Sequence, residues 1–298
     1  MRARHAPDTS TAREGRFAVS GAELYYRDIG RGAPILAIHG GPDFDHQYLL
    51  PDLDRFAGSY RLLYYAQRGR GASLGNVRPE DVSLASEIED LDALRAHLGL
   101  ASVALLGHSW GGVLAMEYAI RHPERTSHLI LMSTSPASGD DYAFLREERL
   151  RIAPHDVERL VALSATPEYR AGDVEADLAY YRVHFASTLR DPKLRERLVR
   201  SLRKNFTPAG ILAAREIEER LMQETWRASA YDLFPQLARL HVPTLVLYGE
   251  RDLVPVECAR RIAEAIPGAR FVRLGGVGHF CYLEAPDAVR AIVAEFLA

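Results

Sequence analysis

The chain has 298 residues, of which 47% are hydrophobic and 26% charged, and its formal net charge is −3. This composition is typical of a globular protein that is long enough for one large α/β domain with an insertion or for two smaller domains. The small negative charge argues against a nucleic-acid partner, and the two cysteines, Cys258 and Cys281, exclude a disulfide framework and favour a reducing compartment.

The N-terminal segment, residues 1–15, is polar and lacks the apolar core of a secretory signal peptide. We expect this segment to be disordered. No apolar run in the chain reaches the roughly 18 residues that a membrane span needs. The sequence therefore predicts a cytoplasmic protein without a membrane partner, and it leaves a homo-oligomer open.

The first half of the chain predicts a sheet that opens with a hairpin. Apolar residues alternate from Arg16 to Asp28 around Ser20-Gly21, which is typical of two antiparallel strands. Short apolar runs that end in Gly-rich loops are typical of buried parallel strands. Apolar spacing predicts five further elements: strands at Pro34–Ile38 and Arg61–Tyr65, a helix from Ser83 to Gly99, and strands that begin at Ser102 and Ser127.

From residue 136 to about 228 the charge density rises and apolar residues recur only at helical spacing, which predicts a helical insertion. Strand-like sequence returns at Pro243–Tyr248, followed by a helix, a strand and a last helix from Pro286 to Leu297. This alternation predicts a doubly wound, mostly parallel sheet with functional groups at the carboxyl ends of its strands. We expect a core built from residues 16–135 and 229–298, with residues 136–228 forming a helical cap, or lid.

The segment Gly107-His108-Ser109-Trp110-Gly111 places a serine between two glycines, where a buried strand gives way to a helix. A sharp strand-to-helix turn brings the flanking backbone into close contact, and glycine has no Cβ to clash there. Such a turn exposes the serine hydroxyl above the sheet. Ser109 is therefore the predicted nucleophile.

A serine hydroxyl needs a base within hydrogen-bond reach and a third group that orients the base. Among the 11 histidines we select His279, because its Gly-rich loop leaves the last strand at the same edge as Ser109. Asp252 follows the strand at 243–248 and is the predicted acid, with Glu250 as the fallback. For the other histidines, His39 and His108 included, a surface position or a structural hydrogen bond is expected.

Acyl transfer also needs donors for the oxyanion. The backbone N–H groups of Gly41, in His39-Gly40-Gly41-Pro42, and of Trp110 are the candidates. An ordinary turn is the alternative interpretation of the two glycines. Trp226 and Tyr181 are predicted substrate contacts, although aromatic residues at helical spacing usually belong to a core.

Together these motifs resemble the α/β-hydrolase superfamily over roughly Arg16 to Pro136 and Ala228 to Ala298. Within it, His39-Gly40-Gly41-Pro42, Gln67-Arg68-Gly69-Arg70-Gly71-Ala72-Ser73 and Gly107-His108-Ser109-Trp110-Gly111-Gly112 resemble the proline iminopeptidase group. The resemblance implies the α/β-hydrolase fold, a helical cap, and a Ser/Asp/His triad that matches Ser109, Asp252 and His279. The chain has Ala66 and Asp43 where the family usually has Asp and Gly.

Iminopeptidases are expected to hold the free amino group of proline with cap carboxylates. The glutamates of the insertion do not align with those carboxylates. Four of them share one helix-like stretch with Arg215 and Arg220, which favours a solvated, salt-bridged face: Glu216, Glu218, Glu219 and Glu224.

The main hypothesis is a cofactor-free serine hydrolase that cleaves the amide or ester bond of a small molecule or short peptide through an acyl-enzyme. An esterase, lactonase or thioesterase on the same triad is the first alternative, and a non-catalytic binding protein of the same fold is the second. Ser109 occupies the position where epoxide and haloalkane hydrolases need a carboxylate. A Cys281 nucleophile and a metal site near His39 and His46 are disfavoured, and no metal is expected.

Overall fold

The computed structural model describes residues 12–75 and 77–298. An eight-stranded sheet lies at its centre, in the order β1-β2-β4-β3-β5-β6-β7-β8. The strands from β4 to β8 pair in parallel, whereas β1, β2 and β4 pair antiparallel. The strands are β1 (Arg13–Val19), β2 (Ala22–Gly30), β3 (Pro34–Ile38), β4 (Arg61–Tyr65), β5 (Val103–His108), β6 (Thr126–Met132), β7 (Thr244–Gly249) and β8 (Arg270–Leu274).

The helices flank the sheet and fill the connection between β6 and β7. They are α1 (Leu84–His97), α2 (Trp110–Arg121), α3 (Gly139–Ile152), α4 (Pro154–Ser164), α5 (Pro167–Arg170), α6 (Val174–His184), α7 (Pro192–Arg203), α8 (Pro208–Glu224), α9 (Phe234–Leu237), α10 (Val256–Ala265), α11 (Cys281–Glu284) and α12 (Pro286–Phe296). No helix in the described ranges is long and apolar enough to cross a membrane.

The expected disorder of residues 1–15 is wrong for the last three of them. Arg13, Glu14 and Gly15 belong to β1, and Arg13 lies opposite Asp28 in the antiparallel ladder with β2. This pairing satisfies backbone groups that a disordered tail would leave to water. Residues 1–11 of the predicted segment lie outside the described residues.

The strands build two apolar layers because successive side chains of a strand point to opposite faces of the sheet. Leu36 and Leu105 pack on the face that α1, α2 and α10 cover. Ile35 and Leu106 pack on the other face, where α12 and residues of α6 and α7 complete the core. The doubly wound, mostly parallel sheet predicted from the sequence is confirmed.

The connection between β6 and β7 is helical from α3 to α8, and we call residues 139–224 the helical segment. Apolar residues of α6 and α7, Leu178 and Leu198 among them, share a core cluster with Phe44 and Tyr48 of the loop after β3. Ile217 of α8 joins the cluster on the opposite face. The helical segment is therefore packed onto the loops at the carboxyl ends of the strands.

Candidate active site

Ser109 lies on the turn between β5 and α2, where the sequence predicted it. Its backbone has φ 56° and ψ −120°, a left-handed conformation that is strained for a residue with a side chain. A Cβ on Gly111 would collide with the carbonyl oxygen of Ile38, and a Cβ on Gly107 would collide with the backbone of Gly111. Both glycines are therefore required for the turn that presents Ser109.

Asp252 and His279 come together, although 27 positions separate them in the sequence. Asp252 follows β7 and His279 follows β8, at the same edge of the sheet as Ser109. The Nδ1 atom of His279 lies 2.6 Å from Oδ1 of Asp252, and this oxygen also accepts a hydrogen bond from the Val254 N–H at 3.0 Å. The Asp252 side chain is fully buried, so its carboxylate fixes the orientation of the imidazole.

Ser109 and His279 line one cavity of about 220 Å³, which also contacts Gly41, Trp110 and Trp226. The hydroxyl of Ser109 lies 3.5 Å from the hydroxyl of Ser135. Among the described residues it makes no hydrogen bond to His279. The cavity lies between the loops at the carboxyl ends of the strands and the helices α3, α6 and α8.

The two predicted oxyanion donors line the same cavity as Ser109. Trp110 is the first residue of α2, and Gly41 lies in the loop after β3. Neither backbone N–H donates a hydrogen bond to another group of the described chain. The neighbouring Gly40 backbone approaches Ser109 so closely that a Cβ on Gly40 would lie 2.8 Å from the Cβ of Ser109. Both N–H groups are free to donate to a ligand.

A buried hydrogen-bond network that the sequence did not predict connects these loops. The Gly40 N–H donates to the Tyr48 hydroxyl at 2.6 Å, and that hydroxyl lies 2.7 Å from Nδ1 of His108. Burial lowers the pKa of His108 well below its usual value. The neutral ring therefore accepts the Tyr48 proton at Nδ1 and donates from Nε2 to the His279 carbonyl oxygen, 3.0 Å away.

The other histidines and the cysteines have structural surroundings. His39 is fully buried and its Nε2 accepts a hydrogen bond from the Gln67 N–H at 3.1 Å. Both cysteines are free and buried, and burial raises the pKa of the Cys281 thiol to about 12. A thiol with this pKa is protonated at neutral pH and is a poor nucleophile. No group of three or more metal-ligating side chains occurs within residues 12–75 and 77–298.

Trp226 and Tyr181, the predicted substrate contacts, both line the cavity. Trp226 stacks on Tyr142 with ring centroids 4.7 Å apart, and its indole N–H donates to the Pro136 carbonyl at 2.9 Å. Tyr181 donates its hydroxyl proton to the Asp43 carboxylate. Their role as substrate contacts stays a prediction.

The expectation of a solvated glutamate face is wrong for Glu218. Glu216 is exposed and Glu219 pairs with Arg227 on the surface, but Glu218 lines the cavity together with Asp43. Burial and the neighbouring Glu219 raise the pKa of Glu218 to about 7, and burial and Glu218 raise the pKa of Asp43. Glu218 lies beside the buried stripe of α8, so helical spacing from Ala214 was the available signal.

The motif that begins at Gln67 has a structural role at its arginines. Arg68 binds Asp90 of α1 with two hydrogen bonds, at 2.7 and 2.5 Å, and both side chains are buried. Arg70 lies 2.6 Å from Glu87 of the same helix. These pairs hold the loop after β4 against α1, and neither arginine lines the cavity that contains Ser109.

Comparison with known proteins gives consistent results. Residues 33–286 match the family model described as alpha/beta hydrolase fold. A proline iminopeptidase of Lactobacillus helveticus is 26% identical over 306 residues, which cover 95% of this chain and 97% of that protein.

Two solved structures have the same fold. The proline iminopeptidase of Mycobacterium smegmatis matches with a TM-score of 0.71 and 21% identity, over 96% of this chain and 97% of that chain. The enol-lactonase of Burkholderia xenovorans LB400 matches with a TM-score of 0.70 and 24% identity, over 95% and 99% of the two chains. At these identities the structures support the fold, and they do not separate one substrate from another.

Proposed function

Because the chain belongs to the alpha/beta hydrolase fold family and is a serine hydrolase, we propose that Ser109, His279 and Asp252 are its catalytic triad. The observation that carries the proposal is the 2.6 Å contact between Asp252 and His279, with His279 and Ser109 on the wall of one cavity. Hydrogen bonds between nucleophile and base are often long before substrate binds.

In the proposed reaction the Ser109 oxygen attacks the substrate carbonyl while Nε2 of His279 takes the serine proton. The Gly41 and Trp110 N–H groups stabilise the oxyanion of the tetrahedral intermediate. His279 then gives the proton to the leaving amine or alcohol as its bond to the carbonyl carbon breaks. Water, deprotonated by His279, attacks the acyl-enzyme, and Ser109 leaves with the proton that His279 returns.

We propose further that residues 136–228 form a cap over this site and supply most of the substrate contacts. Helices α3, α6 and α8 close the cavity opposite Ser109, and Trp226 and Tyr181 lie on its wall. A cap that excludes water strengthens the electrostatic interactions inside the site.

The substrate that this cavity fits best carries a free amino group on its acyl side, as in a proline iminopeptidase. Glu218 and Asp43 face the cavity without a paired cation among the described residues. Two buried carboxylates close together are costly unless a cation or a proton neutralises them. A substrate ammonium would neutralise them, and Glu218 would supply the cap carboxylate that the iminopeptidase resemblance requires.

A fluorophosphonate probe tests the catalytic assignment. We expect it to label the wild-type protein and Ser135→Ala, whose lost hydroxyl lies in the same cavity, but not Ser109→Ala. Absence of labelling in well-folded wild-type protein would contradict the assignment and favour a binding protein.

A panel of proline arylamides and short p-nitrophenyl esters tests the substrate class. Hydrolysis of proline arylamides with loss of this activity in Glu218→Gln supports an aminopeptidase. Hydrolysis of the esters alone would assign the same triad to an esterase or lactonase, the class to which the enol-lactonase structure belongs.

A further inference from the structure

Three arginines line the cavity and have no role in the proposed reaction; Arg146 is exposed, which leaves Arg149 and Arg215. We infer that Arg149 binds the C-terminal carboxylate of a dipeptide substrate, with His184 as its neutral partner. This inference rests on the proposed function and adds the chemistry of the leaving group to it. The substrate would then be a short peptide with both termini free.

Arg149 lies on α3 and lines the cavity. Its Nη2 atom donates to Nδ1 of His184 at 3.3 Å, and within the described ranges it forms no ion pair with a carboxylate. Arg215, on the wall of the same cavity, is instead paired with Asp177 and donates to the Tyr169 carbonyl at 2.6 Å. Arg149 therefore has guanidinium donors free for a ligand, whereas Arg215 is held by the protein.

The surroundings of Arg149 do not compensate its charge. Burial lowers the pKa of Arg149, which reflects the cost of removing a guanidinium from water. His184 is neutral, because burial and then the charges of Arg149 and His279 lower its pKa well below the usual value. A neutral imidazole accepts one hydrogen bond from Arg149 but adds no negative charge. An anionic ligand would supply the missing charge.

The positive and negative groups of this cavity come from different elements of its wall: Arg149 lies on α3, whereas Glu218 lies on α8 and Asp43 on the loop after β3. Burial raises the pKa of Tyr180, the charges of Glu218 and Asp43 raise it further, and the charge of Arg149 lowers it. The wall of this cavity, whose volume is about 220 Å³, therefore carries two carboxylates, Glu218 and Asp43, and the Arg149 guanidinium, none of which forms an ion pair among the described residues. A dipeptide complements both, because its ammonium belongs to the acyl group and its carboxylate to the leaving amino acid.

Kinetics on matched substrates test this inference. The substrates are a dipeptide with N-terminal proline and the same dipeptide with a C-terminal carboxamide. In Arg149→Gln we expect kcat/KM to fall about 10- to 100-fold for the dipeptide, because the variant loses the charged hydrogen bond to the substrate carboxylate. For the carboxamide, which has no carboxylate to bind, kcat/KM should stay nearly unchanged. Arg149→Lys keeps the charge and should recover part of the preference.

Arg151→Gln is the matched control, because Arg151 lies on the same helix, is exposed, and pairs with Glu148 at 2.6 Å. It should behave as wild type on both substrates. Equal loss on dipeptide and carboxamide in Arg149→Gln, or no loss on either, would overturn the inference while leaving proline arylamide hydrolysis and the triad intact.

A second pair of substrates separates failure of the inference from failure of the aminopeptidase assignment. These are p-nitrophenyl esters of butyrate and of glutarate, which differ by a carboxylate on the acyl group. If neither proline substrate is cleaved, the aminopeptidase assignment fails. A selective loss on the glutarate ester in Arg149→Gln would then retain the carboxylate site but overturn its assignment to the leaving group.

Discussion

Buried charges are paired beneath the loop after β4, whereas Glu218 and Arg149 in the wall of the cavity are not. Arg68 and Asp90 satisfy each other with two hydrogen bonds beneath the loop after β4. Glu218 and Arg149, which line the cavity, form no ion pair with any described residue. In both regions a charged group has been removed from water, which is unfavourable. Only the Arg68–Asp90 pair offsets this penalty with an interaction inside the chain.

This difference indicates where a partner for the charge has to come from. Beneath the loop after β4 the partner is another residue of the chain, so removing one member of the pair lowers the free energy of unfolding. In the cavity the partner has to be the ligand, so the same type of group contributes to binding. Mutations in the two regions should therefore affect different measurements.

The largest effect is expected from breaking a core pair. Asp90→Ala leaves the buried Arg68 guanidinium without its carboxylate partner, and removal of one member of a buried pair typically costs about 3–5 kcal/mol. We expect the free energy of unfolding, measured in urea, to fall by about this amount. The double variant Asp90→Ala/Arg68→Met removes the unpaired charge and should recover part of the loss.

Two controls define the comparison. Asp81 pairs with Arg78 on the surface, where both side chains are about half exposed or more, so Asp81→Ala should change stability little. Arg149→Met removes an unpaired cation from the cavity wall and should leave stability unchanged or raise it. A loss in Arg149→Met as large as that in Asp90→Ala would show that Arg149 has a partner within the fold.

An intermediate effect is expected from the network that joins the loop after β3 to the loop that carries His279. Tyr48→Phe removes the hydroxyl that accepts from the Gly40 N–H and lies 2.7 Å from His108. If this network positions Gly41 and His279, kcat should fall about 10- to 100-fold with little change in KM, because small displacements of catalytic groups cost about this much.

Tyr64→Phe is the control for Tyr48→Phe. Tyr64 is buried, and its hydroxyl donates to Asp54 at 3.0 Å on β4, away from the cavity. Its loss should lower stability to a similar degree and leave kcat unchanged. A parallel loss of kcat in both variants would assign a general structural role to the Tyr48 network.

The sequence was most informative where local chemistry determines the structure. The buried strands Pro34–Ile38 and Arg61–Tyr65 have the predicted bounds, because a continuous apolar run between turn residues has few other conformations. The position of Ser109 was predictable for a similar reason, since the turn requires glycines on both sides. His279 was selected by topology, from the rule that parallel strands end at one edge of the sheet.

The sequence was least informative where contacts join distant segments. Tyr48 and His108 are 60 positions apart, and Tyr48 lies on a 3₁₀ helix, His46–Leu49, that has no periodic apolar signal. Glu218 was predicted to be solvated because its neighbours are charged. Which of these charged residues faces the cavity depends on how α8 packs, and the fold is needed to define that packing.

The smallest of the predicted effects is a pH dependence specific to amine substrates. The pKa of Glu218 is raised to about 7, so its carboxylate is mostly protonated at pH 6 and mostly ionised at pH 7.5. Only the ionised form attracts a substrate ammonium. KM for a proline arylamide should therefore fall about 5- to 10-fold between these pH values and rise again above about pH 8, where an α-amino group loses its proton. KM for a neutral ester should stay flat.

The neutral ester is the matched reference, because the same Ser109 would hydrolyse it but it carries no ammonium for Glu218 to bind. In Glu218→Gln the pH dependence of KM should disappear and the KM value should be high throughout. Glu219→Gln, at the adjacent position on the surface, tests whether nearby charge alone is responsible. The charged groups that act on Glu218 are Glu219, Asp177, Arg215 and Arg227, together with Asp43 beside it on the cavity wall. A pH dependence that persists in Glu218→Gln would show that Glu218 does not bind the amine. Asp43 would then be the carboxylate that faces the substrate. The unpaired acidic group of the cavity wall would in that case belong to the loop after β3 and not to the helical segment.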